Sequence, residues 1–249
     1  MYLRGSTLDF EQNTNRTKEW FVPAFGPLKF RTFIGLLFLP YTGMVLAYTV
    51  IGSMMAERIF WDRVGAILII YFLGLGIGGH ALDALGSKGI KPWGEVFSRI
   101  QLWTLVIASL VLAYAIGIYY IIVYTPLLGV IALLEGFFVL AYNLEWFRGC
   151  FHTDAWFAIS WGSLPVLAGY VLQTNLLSWA VLIVAASMGL LSMVEIKASR
   201  PYKALKRASS DTLTMVDLSH MQQFEMILKG ISLGVILLGV GLFLWRWLI

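Results

Sequence analysis

Cysteine occurs once in this chain, at Cys150, which excludes an intrachain disulfide and any thiolate cluster that would hold a metal. Histidine occurs three times, and that excludes a di-metal site rich in imidazole. Charge is scarce as well: Asp, Glu, Lys and Arg make up 13% of the 249 residues, where a soluble domain carries about 25%. The polar N-terminal stretch lacks the short apolar core and small-residue cleavage site of a signal peptide. What the chain has in place of charge is apolar side chains. They make up 59% of the residues, and the mean hydropathy is +0.79. These numbers specify an all-α polytopic membrane protein. The sequence pI of about 9.2 reflects where the basic residues fall relative to the spans and implies no nucleic-acid partner.

A membrane helix needs about 20 consecutive apolar residues. Seven segments meet that need: 33–55, with Pro40 as an expected kink, then 64–81, 93–118, 126–147, 156–172, 176–194 and 227–249. Residues 100–142 are apolar almost without a break and too long for one helix, so a hairpin is expected, turning near Tyr119, Tyr120 and Pro126. Residues 213–228 carry a loose apolar stripe that suits a helix lying on the membrane surface. The expected organisation is a cytoplasmic segment, 1–32, and one transmembrane domain, 33–249.

Seven spans put the N-terminus and the connections 82–100, 143–155 and 195–229 on one side. Fifteen of the 18 Lys and Arg residues fall there, and only Arg58, Arg63 and Arg246 fall on the other. The positive-inside rule makes the richer side cytoplasmic and the C-terminus external.

The distinctive polar residues gather in those three connections. The first follows a glycine-rich apolar run and holds His80, Asp83, Ser87, Lys88 and Lys91. His80 and Asp83, three apart, share a helix face. The second holds Tyr142, Asn143, Glu145, Arg148, His152 and Asp154, and the third Glu195, Arg200 and Lys203. Carboxylates and imidazoles suit a divalent cation or proton transfer, and Lys and Arg suit phosphate oxygens. The set reads as a site for a lipid diphosphate at the membrane surface. Plainer roles exist for each part. Gly74 and Gly78 have the small-xxx-small spacing of helix packing. His80 and Asp83 can satisfy each other, and the basic run 197–207 suits anionic lipid. Glu135 lies deep in the fourth span, where a carboxyl group demands a partner or a function. Its helix face also carries Tyr142, pointing toward the second connection.

At these residues the chain resembles the UbiA-type intramembrane prenyltransferases. The family's first motif, Asn-Asp-x-x-Asp-x-x-x-Asp after its second helix, falls here on Gly79, His80, Asp83 and Ser87. A family tyrosine followed by a basic residue and a Gly…Pro…Gly helix resembles Tyr142, Arg148 and the segment from Gly162 through Pro165 to Gly169. The stretch 31–48, with Pro40 and Gly43, is similar to the family's first helix, and Glu195 stands where the second acidic motif belongs. The resemblance covers about residues 28–200, and one span here stands in place of the family's last three. It implies a helical bundle whose cytoplasmic loops cap a central cavity. It also implies Mg²⁺ on Asp83 and Glu195, in a site weakened by the missing aspartates, and an isoprenyl diphosphate as substrate.

Two functions of different class follow. In the first, the chain is a divergent prenyltransferase or related lipid-modifying enzyme. His80, Asp83, Glu145 and Glu195 are then the catalytic candidates. Lys88, Lys91, Glu135, Tyr142, Asn143, Arg148, His152, Asp154, Arg200 and Lys203 bind the substrate. In the second, it is a non-catalytic lipid-binding or transport protein that keeps the bundle without the acidic motifs. A third, more distant reading is a metal-dependent membrane enzyme using His80, His152, Asp154 and Glu135.

Overall fold

The computed structural model describes residues 19–86, 96–208 and 213–249, and among these no strand occurs. Six helical units are long and apolar enough to cross a bilayer: Leu28–Met54, Trp61–Gly86, Arg99–Val123, Asp154–Thr174, Trp179–Arg207 and Met215–Leu248. The protein is therefore an all-α, multi-pass membrane bundle.

The first unit is two helices, α1 (Leu28–Leu36) and α2 (Leu39–Met54). The break falls at Phe38, which takes the left-handed conformation with φ 45°. Pro40 then sits in the first turn of α2, where its missing N–H costs nothing. The expected kink at Pro40 is thus a full interruption two residues earlier. α2 is buried on nearly every face. Its hydroxyls turn back on the helix, Thr42 donating to the Leu37 carbonyl at 2.6 Å and Ser53 to that of Thr49 at 2.9 Å.

The second unit runs α3 (Trp61–Tyr71), a π-helical stretch (Phe72–Gly79) and α4 (His80–Gly86). Four glycines in that stretch remove the side chains that would resist the wider turn. Of the small pair, Gly78 packs against Ser109 and Leu110, whereas Gly74 has open space where a side chain would be. Gly86 passes so close to the Asn143 carbonyl that a Cβ would overlap it, which fixes the end of α4 against the next hairpin.

That hairpin is α5 (Arg99–Val123) and α6 (Leu128–Asn143). α5 begins later than position 93 because Ser98 and Gln101 form a reciprocal capping box. α6 has 16 residues, about 24 Å at 1.5 Å per residue, and is shorter than the hydrocarbon core. The chain unwinds after it through left-handed Glu145, Phe147, Arg148 and Gly149. α7 (Asp154–Ala158) leads through a π-helical turn into α8 (Leu164–Thr174).

α9 (Trp179–Arg207) and α10 (Met215–Leu248) close the bundle. At 29 and 34 residues they measure about 44 and 51 Å, well beyond a hydrocarbon core of about 30 Å. The third polar connection is therefore no loop over 195–207. It continues α9, with Pro201 inside the helix, held by buried Ile196, Ala198, Ser199 and Tyr202 on one face. The surface helix expected over 213–228 is likewise the projecting start of α10. The α9 extension holds residue 19: Glu19, 4% exposed, accepts from Tyr202 Oη at 3.0 Å and Lys206 Nζ at 2.9 Å.

At the opposite end the arginines serve the backbone. Arg63 donates to the carbonyls of Leu172 and Gln173 at 3.0 and 3.2 Å. Arg246 donates to those of Ala56 and Glu57, each at 2.7 Å. Leu172 and Gln173 lie in the last turn of α8, whose carbonyls have no partner within the helix, and Ala56 and Glu57 lie in the turn that follows α2.

Candidate functional site

A cavity of about 300 Å³ opens where α2, α4, α6, α7 and α9 meet, lined by His80, Asp83, Tyr142, Asn143, His152, Arg200, Lys203 and Arg207. Each polar group reaches it for a local reason. The π-helical stretch ends at Gly79, so His80 and Asp83 fall on consecutive turns of α4 facing the same space. The end of α6 delivers Tyr142 and Asn143, and Asn143 Nδ2 bonds back to the Val139 carbonyl at 2.8 Å. Arg200, Lys203 and Arg207 are spaced three and four apart on α9, one stripe of a helix. Because Pro201 does not end the helix, that stripe is continuous.

Hydrogen bonds set both imidazoles. Thr42 Oγ1 gives its proton to the Leu37 carbonyl at 2.6 Å, so it accepts from His80 Nε2 at 3.3 Å. In the neutral ring this makes Nδ1 the basic nitrogen. His152 Nδ1 lies 3.0 Å from the Tyr142 carbonyl and must donate to it, which leaves Nε2 as the basic nitrogen of that neutral ring. His152 also stacks on Tyr142 with centroids 4.4 Å apart. Tyr142 in turn lies against Trp161 at 5.6 Å and Phe157 at 5.8 Å.

The cations are oriented from the sides. Arg200 pairs with Asp154, Nη2 to Oδ1 3.0 Å, and stands within hydrogen-bonding reach of the Tyr142 hydroxyl. Lys203 Nζ lies 5.4 Å from the Phe38 ring centre and 5.9 Å from that of Tyr41, distances at which a cation gains from the ring face. The cavity is thus polar and cationic on the α9 side, with an aromatic wall below. Phosphate oxygens fit the first and an apolar or cationic hydrocarbon the second.

Seven of the residues singled out from the sequence come together here: His80, Asp83, Tyr142, Asn143, His152, Arg200 and Lys203. Asp154 reaches the site through Arg200. Glu145 and Arg148 belong to the unwound turn after α6 and do not line the cavity. Lys88 and Lys91 lie outside the described residues. Glu195 is buried at 2% exposure and does not line the cavity with Asp83; it lines a small adjoining pocket that shares Phe38, Tyr41 and Lys203 with it. Glu135 does not point to this cavity either. It bonds Tyr71, Oη to Oε1 2.8 Å, in an apolar pocket within the bundle. Among the described residues no group of three His, Cys, Asp or Glu side chains is placed to hold a metal ion.

Sequence reasoning did not single out Phe38, Tyr41 or Trp161, and it placed Arg207 in the third connection without assigning it a role in the site. Arg207 was legible as the third member of the 200, 203, 207 stripe, had the helix been carried through Pro201. Phe38 was not, because its place depends on the break between α1 and α2. Comparison with protein-family models, curated proteins and solved structures finds no match for this chain.

Proposed function

We propose that the chain is a divergent UbiA-like membrane protein. In this reading its polar cavity takes the diphosphate head of an isoprenyl lipid at the cytoplasmic face. The observation that carries the reading is the stripe Arg200, Lys203 and Arg207 facing His80 and Asp83 across a cavity with an aromatic wall. Three cations on one side neutralise diphosphate oxygens directly, the role that magnesium bound to aspartates plays in the family the sequence resembles.

As an enzyme the site would work as follows. The C1–O bond of the lipid breaks, and the diphosphate leaves with the electron pair, stabilised by the α9 cations. The allylic cation is held over the faces of Tyr142, Phe157 and Trp161. An acceptor nucleophile forms the new bond to C1 and gives its proton to His80 Nδ1, beside Asp83. The second reading, a binder without turnover, draws on the lack of a metal-holding carboxylate group among the described residues.

The test uses the full chain in nanodiscs with radiolabelled geranylgeranyl diphosphate. Arg200→Ala and Lys203→Ala should each weaken binding by about 10- to 100-fold, the scale of a lost charged hydrogen bond. Chelation should change it little. Asp83→Asn should lower diphosphate release by ~10²–10⁴-fold if turnover occurs. Binding indifferent to both cation variants would refute the site. Binding without product across a broad acceptor panel would select the second reading.

A further inference from the structure

The carboxyl group of Glu135 lies inside the bundle in a pocket of about 80 Å³ lined otherwise by apolar residues such as Ile67, Leu110 and Ile131 and by Gly74 and Gly117. The pocket falls between α3 with its π-helical continuation, α5 and α6. Glycine makes the space: a Cβ on Gly74 would touch nothing within 4 Å, and one on Gly117 only the Ile70 tip at 3.9 Å. α5 and α6 turn their other faces outward, exposing Val111, Ile118, Leu133 and Leu134. Gly74, Leu110, Tyr114 and Gly136 at its rim are only partly buried, so the pocket opens between the helices toward lipid.

Its hydrogen bonds are one short. Tyr71 gives its proton to Glu135 Oε1 at 2.8 Å, and Tyr114 gives its own to the Ala132 carbonyl at 2.8 Å. Glu135 Oε2 is buried and has no partner among the described residues. A lipid tail would fill the volume and leave that oxygen orphaned, at a cost this apolar setting makes severe. A hydroxyl would satisfy it in either proton state of the carboxyl group, donating to a carboxylate or accepting from an acid.

We infer that this pocket is a second lipid site, separate from the polar cavity, which takes a membrane-soluble alcohol: an apolar body whose hydroxyl bonds Glu135 Oε2. The inference does not depend on what the polar cavity binds.

The probe is hexadecanol bearing a mid-chain diazirine, added to the full chain in phosphatidylcholine nanodiscs, with the corresponding diazirine hydrocarbon as control. The alcohol should label peptides of α5 and α6 saturably. It should do so at concentrations about tenfold or more below those the hydrocarbon needs, the effect of satisfying one buried polar group. Glu135→Gln, which keeps a hydrogen-bonding side chain, should retain that preference, and Glu135→Leu should abolish it. Gly117→Leu keeps the carboxyl group and fills the pocket, and it should remove saturable labelling. If Glu135→Leu does not fold, Gly117→Leu decides, and labelling that survives it overturns the inference. Equal labelling by alcohol and hydrocarbon, or labelling that never saturates, overturns it as well.

Discussion

A single methyl group added at Gly169 should separate two helices that the structure holds at backbone contact. α2 and α8 cross with Gly52 and Gly169 facing each other's main chain. A Cβ on Gly169 would overlap the Thr49 carbonyl and stand 3.0 Å from the Ser53 nitrogen, and one on Gly52 would overlap the Val166 carbonyl. No rotamer relieves a clash with backbone, so α8 must withdraw. Withdrawal also stretches the longer arm, 3.2 Å to the Gly169 carbonyl, of the bond that the Ser53 hydroxyl shares with the Thr49 carbonyl. Overpacking costs ~1–3 kcal/mol and the bond ~0.5–1.5, against ~0.5–1 regained from alanine's helix preference. The net loss is about 0.5–4 kcal/mol. Gly230 supplies the opposite case, because nothing lies within 4 Å of a Cβ there. Gly230→Ala should gain ~0.5–1 kcal/mol. The assay is denaturant unfolding of both variants in the same bicelles, read by helical circular dichroism. If Gly169→Ala matches or exceeds the wild type, the close crossing is wrong.

Two further outcomes are expected. Exposed Cys150 lies on the side the charge distribution marks as cytoplasmic, so an impermeant maleimide should label it in inverted vesicles and not in intact cells; labelling from outside would reverse the orientation. Lys206→Met leaves the buried Glu19 carboxylate without its 2.9 Å cationic partner and should cost about 1–3 kcal/mol, with Glu19→Gln/Lys206→Met losing clearly less than the two single changes together. Additivity within about 0.5 kcal/mol would show that the pair is not coupled.

Hydropathy made the helices legible, because a bilayer imposes a minimum length on every span. It could not show where a helix stops once it leaves hydrocarbon. Residues 195–207 read as a charged connection because Lys197, Arg200, Lys203, Lys206 and Arg207 dominate the local composition. Ile196, Ser199 and Tyr202 form the buried stripe that keeps the segment helical, and a stripe among charges is a faint signal. An interior proline costs a helix about 3 kcal/mol; at Pro201, packing on α10 and around residue 19 outweighs it. His80 and Asp83 were correctly set on one face, because their spacing holds in the short α4. Glu135 was set apart by its depth alone. Its neighbour Tyr71 lies 64 residues away in sequence, and no local pattern connects them.

The central helix carries a consequence for biogenesis. α2 leaves the ribosome well before its packing partners, α8 and α10. Ala47 is the surface against which Gly239 closes, and Gly43 receives Ile236. Nearly 200 residues separate these surfaces in the chain, which at 5–20 residues per second is a delay of about 10–40 s. During that interval α2 sits in the membrane with its glycine and hydroxyl grooves facing lipid or the insertion machinery. The α9 cation stripe also arrives late, so no nascent chain that stops short of Arg207 contains the whole polar cavity. A membrane chaperone that shields small-residue grooves would have a long task on α2, and a stop codon before α10 would strand it there.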